Sequence, residues 1–420
     1  MDQDIAMKYN RRTFPIYKAL AWDALFYYAI IFLFLTEVKG ISASTIMYAE
    51  AGYTVFLMIF QIPATILIER VGNRKALIIG NSLVTLQIAM MIFANSFTYL
   101  LIAYFIRAFG YALKGISQYS LLYDSVKLKE GKNSFANIDA KGSSLSYFID
   151  GITSFFTGYL FVINTYLPII LSSIVSFITV IISYRFEEVK RKEEKTKISD
   201  SIKSMKLGFR YIFNSRRLKA LFLFIAIFSG TLTMISTYEK SLLRDIQIAP
   251  QYFGIIFAVL TIVSALSAKY QDKIHNAFKN KTLTFLSIPV FVSFIVVGII
   301  GIIKWNQTMT IIIVLLGFSV QHFIRAPYWT LNKKYLTNFT NSGIRTKILS
   351  ASDFIESITT SVIIFLSGLL LDYCNTSIAY LIVGIVGLGI ITAVLKYMRP
   401  RFGLQPEKYR KEEIEYVEVK

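Results

Sequence analysis

The chain alternates between long apolar runs and short charged turns. About twelve runs stand out: Phe14–Thr36, Thr45–Ile68, Ala76–Ala94, Tyr99–Tyr123, Gly142–Val162, Leu167–Tyr184, Leu218–Tyr238, Tyr252–Ala268, Thr282–Ile303, Thr308–Trp329, Ile348–Leu371 and Ser377–Tyr397. Nearly all reach the ~20 residues that a helix needs to cross a ~30 Å hydrocarbon core. The pattern predicts an all-α polytopic membrane protein with twelve transmembrane helices. The first run is too long for a signal-peptide core and lacks a small-residue cleavage site, so it is expected to stay as helix 1.

The rhythm breaks once, at Arg185–Lys219, where a charged stretch precedes an amphipathic piece from Ile198 to Phe213. This divides the chain into two halves of six spans, an arrangement that points to internal repetition. The expected organisation is an N-terminal half over residues 1–185, a cytoplasmic central loop over 186–217, a C-terminal half over 218–397 and a cytoplasmic tail over 398–420.

Composition adds a sign to this picture. The 420 residues are 55% hydrophobic and carry a formal charge of +19. The basic residues sit in short loops and tails between apolar runs, where Lys and Arg mark the cytoplasmic side, so nucleic acid is not the expected partner. With both termini inside, the outer loops hold Lys39, Lys240, Arg244 and Lys304, while the inner loops hold Arg70, Arg74, Lys75, Lys127, Lys129, Lys132, Lys141, Lys269, Lys273, Lys279, Lys281, Lys333, Lys334, Arg345 and Lys347. A single cysteine, Cys374, excludes an intramolecular disulfide.

The turn between the second and third runs reads Glu69-Arg70-Val71-Gly72-Asn73-Arg74-Lys75 after Leu67. It resembles the loop motif between helices 2 and 3 of the major facilitator superfamily, with Glu69 for its Asp, Asn73 for an Arg and Thr65 for its first Gly. Arg107 with Gly110 and Gly115 resembles the family's helix 4 motif. Ser120-Leu-Leu-Tyr-Asp124-Ser125 and Ile344-Arg345-Thr346 with Leu349-Ser350 resemble segments of Gram-positive bacterial drug exporters of the tetracycline, macrolide and multidrug type. Helix 5 reads Asp150-Gly151 to Gly158-Tyr159 with no proline, and so departs from the family's drug/proton antiporter motif. The resemblance implies two six-helix halves, and a clamp in which Glu69 meets the start of helix 11 while Arg70 or Arg74 reaches Asp124, with Gly72 at the turn.

Ionisable residues inside apolar runs are costly against lipid and mark cavities or pairs. Here they are Asp23, Glu50, Arg107, Lys114, Asp150, His322, Arg325, Asp353 and Glu356. At about 1.5 Å per residue, Asp23, Arg107 and Asp150 fall near mid-membrane and could form one cluster. Arg107, Tyr111, Lys114 and Gln118 recur at spacings of three and four and should share one helix face. Tyr27, Tyr28, Tyr111, Tyr147 and Trp329 could line an aromatic pocket, or could belong to packing and interface belts.

Motifs for nucleotide hydrolysis, paired metal ligands and a nucleophile elbow do not occur, so neither an enzyme nor a metal or cofactor is expected. The sequence therefore predicts a monomeric secondary transporter in a bacterial plasma membrane, driven by protons through Asp23, Asp150 or Glu356. The resemblance makes the expected cargo a lipophilic drug-like compound moved outward. A proton symporter for a nutrient or metabolite is the alternative.

Overall fold

The structure is a computed structural model that describes residues 3–21, 25–126, 131–188, 198–278, 281–338, 340 and 342–402. The described residues form helices in chain order: α1 (Gln3–Leu20), α2 (Ile31–Leu33), continued by a π-turn over Phe34–Val38, α3 (Ala43–Val71), α4 (Asn73–Met91), α5 (Phe97–Val126), α6 (Gly131–Ile163), α7 (Leu167–Tyr184), α8 (Ile198–Asn214), α9 (Arg216–Asp245), α10 (Pro250–Lys269), α11 (Gln271–Phe278), α12 (Thr282–Ile303), α13 (Gln307–Asn338), α14 (Ser342–Tyr373) and α15 (Thr376–Phe402). Ten of them are long and apolar enough to cross a membrane. Their outward faces carry exposed Phe155, Phe177, Ile299 and Ile385, an arrangement that suits lipid, where an apolar surface needs no covering.

The apolar runs 1 and 3 do not meet that standard, for different reasons. Run 3 forms α4, but Asn81, Ser82 and Gln87 lower its hydropathy. Run 1 is not one helix. α1 ends at Leu20, and residues 25–30 form turns before helix resumes at Ile31. Phe26 sits at φ 61°, a conformation that disfavours a side chain and marks a real break.

Helices also outrun their apolar spans. α6 starts at Gly131, α13 reaches Asn338 and α14 starts at Ser342, so Lys141 and Lys334, expected in loops, lie on helix. Asp353 is well inside α14 and exposed. α9 continues to Asp245, which places Glu239 and Lys240 in a buried helical turn where an outer loop was expected after Tyr238. Hydropathy alone trims a helix at its first charges, whether or not those charges are buried.

The chain divides into two compact units, residues 1–198 with 249–258, and 199–248 with 259–420. In the first, α5 packs on α3 and α4, and α1 packs on α5, α6 and α7. The α4–α5 crossing is close because Gly80 and Gly110 face each other: a Cβ on either would stand 2.9 Å from the other's carbonyl oxygen. Small residues at such crossings let backbones approach where lipid gives no hydrophobic drive. A core of Phe14, Tyr17, Leu77, Leu121, Leu122 and Phe186 fills one end. Beside it the buried Asn81 donates to Tyr17 Oη (3.1 Å) and Ser183 Oγ (2.8 Å).

Asn10 joins the same end to the chain leaving α7. It donates to Ser125 Oγ (3.0 Å) and Glu187 O (2.9 Å) and accepts from Glu187 N (2.9 Å). In the second unit α9 packs on α13, α14 and α15, and α12 on α13 and α15.

Candidate functional site

α5 carries the site of the first unit. Its seam with α4, closed by Gly80 and Gly110, fixes the rotation of α5, and the stripe of Arg107, Tyr111, Lys114 and Gln118 lies roughly a fifth of a turn (about 70°) round the helix from Gly110, beside that seam. Tyr111, Lys114 and Gln118 line a cavity of about 340 Å³ together with Lys18 of α1 and Asp150 of α6. Ser143, Ser146, Tyr147, Tyr119 and the Ala21 backbone complete the wall.

Two lysines set its electrostatics. Lys114 is only 6% exposed, and its ammonium donates to the Ala21 carbonyl. That carbonyl lies just past the end of α1, where the last helical carbonyls lack partners within the helix and the dipole favours a cation. Lys18, in the last turn of the same helix, pairs with Asp139 of α6 and lies 5.5 Å from the Tyr119 ring. The break after α1 thus gathers two cations at one helix end.

Arg107 adjoins this cavity through Tyr111. Its guanidinium carbon lies 5.3 Å from the Tyr111 ring centroid, 5.2 Å from Tyr53 and 6.0 Å from Tyr104, while Lys114 Nζ is 5.3 Å from the Tyr111 ring. Three aromatic faces hold one guanidinium, and one of those rings also serves the lysine; each contact contributes about 1 kcal/mol or more where water is excluded. Glu50, Tyr27 and Tyr53 lie close enough to Tyr104 to act on it electrostatically, as Arg107 does. Arg107 thus shares its surroundings with Glu50 of α3. Asp23 lies outside the described residues.

The other expected site residues are dispersed. Tyr28 is part of the turns before Ile31, and Trp329 packs on Tyr328 at 5.3 Å. Arg325 and Glu356 are half-buried in the second unit, where Glu356 acts electrostatically on Tyr328. At the charged turn, Glu69 and Arg70 are exposed and Asp124 is buried. Arg74 donates from Nη2 to Tyr184 O (2.6 Å). Gly72, at φ 87° and ψ 161°, turns the chain so that the Asn73 and Arg74 amides both donate to the Glu188 carboxylate, at 2.9 and 2.6 Å.

Sequence reasoning passed over Lys18, Tyr53, Tyr104 and Glu188. Lys18 is legible as a charge within an apolar run; Tyr53 and Tyr104 join Arg107, and Glu188 the charged turn, only by folding.

The sequence profile of the Major Facilitator Superfamily matches residues 19–332. The chain belongs to the major facilitator superfamily. No curated protein matches the sequence significantly. Among solved structures, the chain is similar to the nucleoside transporter NupG (TM-score 0.76, 10% identity, 95% of this chain and 100% of that one). It is also similar to a D-xylose-proton symporter (0.67, 11%, 97% and 98%) and to a POT family transporter in complex with 5-aminolevulinic acid (0.67, 13%, 95% and 96%). At these identities the likeness is one of fold. This major facilitator chain is accordingly a multi-pass membrane transporter for a small molecule.

Proposed function

We propose that this transporter moves a small, polar solute bearing an anionic group, with protons as the coupling ion. The observation that carries the reading is the cavity of the first unit. Lys114, a glutamine, two serines and tyrosines face it with one carboxylate, Asp150, while Lys18 is already paired with Asp139. Charged groups in a half-dehydrated cavity select ligands of opposite sign, because an unpaired buried charge on either side is costly. Lys114 would take the anion, Asp150 an ammonium or hydroxyl group, and Tyr111 a flat face. Arg107, through the shared ring, adds positive potential.

Outward transport of lipophilic drug-like compounds, suggested by the exporter resemblance, draws no support from such a lining. Metabolite symport suits it better, and the zwitterionic 5-aminolevulinic acid held by one fold neighbour and the proton named for another are of the same chemistry. In this reading the termini are cytoplasmic, the protein works as a monomer in a cell membrane, and Glu69, Arg70, Gly72, Arg74 and Asp124 act as a conformational latch.

The test is a thermal-shift and uptake panel on the full chain in lipid vesicles, with 5-aminolevulinate, succinate, uridine, D-xylose and ethidium as probes. Anionic or zwitterionic probes should stabilise the protein, and Lys114→Gln should weaken them at least tenfold. Stabilisation by ethidium alone, indifferent to Lys114→Gln, would overturn the reading.

A further inference from the structure

The second unit holds a buried acid that the proposed transport cycle has not yet used. Glu239 of α9 has no exposed surface. Its Oε2 lies 3.1 Å from Nε2 of His322 on α13. The other ring nitrogen, Nδ1, is 3.4 Å from Ser264 Oγ, and Ser264 donates its hydroxyl proton to the His322 carbonyl (3.0 Å). A hydroxyl has one proton; with that proton spent on the carbonyl, Ser264 can only accept from the ring. Nδ1 therefore carries hydrogen, and the Nε2–Oε2 contact holds one further proton, placed on either atom.

The pair is neutral in both of those forms, as imidazolium with carboxylate or as imidazole with carboxylic acid. The second carboxylate oxygen is different. Glu239 Oε1 is buried and has no hydrogen-bond partner among the described residues. Buried acceptors are nearly always satisfied, so an open one invites explanation.

The surroundings narrow the choices. The elements packed on α9 are α13, α14 and α15. From α13 comes His322, and from α15 comes Tyr380, whose buried hydroxyl has no hydrogen-bond partner among the described residues and feels Glu239 electrostatically. From α14 the Ser367 carbonyl accepts from Tyr238, the residue before Glu239 (2.9 Å). On α9 itself the next residue, Lys240, is buried as well.

We propose that Glu239 and His322 form the proton-carrying site of this transporter, with Oε1 as the position that a transported proton fills and vacates. Loading adds one proton to the neutral pair and leaves carboxylic acid beside imidazolium; unloading returns it to water. Because Glu239 is sealed here, either step requires the second unit to admit water, which ties proton exchange to a change of conformation. The inference rests on the proton-coupled reading above, but its test does not need the solute.

The experiment is the pH-difference infrared spectrum of the full-length protein in phosphatidylcholine vesicles. Wild type should show the carbonyl band of a protonated, poorly hydrated carboxylic acid. Glu239→Gln should remove that band, and His322→Gln should move its midpoint, while Glu188→Gln should leave it in place. If Glu239→Gln does not fold, His322→Gln and Tyr380→Phe still decide, since each alters a group acting on Glu239. A band unchanged in the Glu239 variant, or in both of the others, overturns the site. Acid-driven uptake of the solute, collapsed by a protonophore, is read separately. Its absence with the band intact would sink the coupling reading and leave a titrating pair.

Discussion

Gly72→Ala tests whether the charged turn of the first unit is built as described. At φ 87° and ψ 161° the backbone occupies a region essentially reserved for glycine, and forcing a side chain into it costs about 1–3 kcal/mol. The new Cβ would also stand 3.0 Å from Cδ and Oε2 of Glu188. The carboxylate would have to withdraw from two amides it now holds at 2.9 and 2.6 Å. Hydrogen bonds to a charged group contribute about 1.5–3 kcal/mol each when buried, and these are exposed, so roughly 1 kcal/mol each is the fair figure.

The total is about 3–5 kcal/mol, a fall of roughly 10 °C in Tm for a unit of this size. Glu188→Gln, which keeps the glycine and removes only the charge, should cost no more than about 1–2 kcal/mol. Gly72→Ala combined with Glu188→Ala should cost less than the sum of the two, because the clash is then gone. Heating in detergent followed by fluorescence-detected gel filtration reads these variants and the single Glu188→Ala alike. A Gly72→Ala protein that melts within 2 °C of wild type, on the order of half a kcal/mol, would refute the reasoning.

Gly80→Val should separate α4 from α5 by pushing against the Gly110 carbonyl and the Lys114 amide, both 2.9 Å from the built Cβ; overpacking of this kind costs about 1–3 kcal/mol or more, and cross-linking of cysteines placed across the seam should fall with it. Arg107→Lys should not restore function, because an ammonium cannot stack against Tyr53, Tyr104 and Tyr111 as a planar guanidinium does; uptake equal to wild type would show that only the charge matters.

How far the sequence foretold this molecule depends on what each residue's neighbours were. The helices α7 and α12 follow from uninterrupted apolar runs, whose backbone must be satisfied internally in lipid. The shared face of Arg107, Tyr111, Lys114 and Gln118 follows from spacing alone. The break after α1 does not: residues 19–35 contain no glycine or proline, so the turn at Phe26 is imposed by packing and not by local preference. Glu239 stayed hidden because a charged pair at the end of an apolar run reads as the start of a loop, and only the opposing His322 shows otherwise. Tyr53 joins Arg107 from a different helix, a meeting that no periodicity encodes.

The broken first helix and the lysine on α5 also bear on descent. The Ala21 carbonyl and the Lys114 ammonium answer each other: without the break, the helix would claim that carbonyl for itself, and without the lysine the carbonyl would face a poorly hydrated cavity alone. Neither change is harmless by itself, so a lineage can cross from one state to the other only by changing both, or by way of a weakened ancestor. Related chains should fall into two groups, one with a lysine or arginine at position 114 and an interrupted first helix, the other with an apolar residue there and a continuous one. Chains that mix the two features should be scarce, and grafting Lys114→Leu into this one should be rescued by substitutions that let residues 19–31 wind into a single helix.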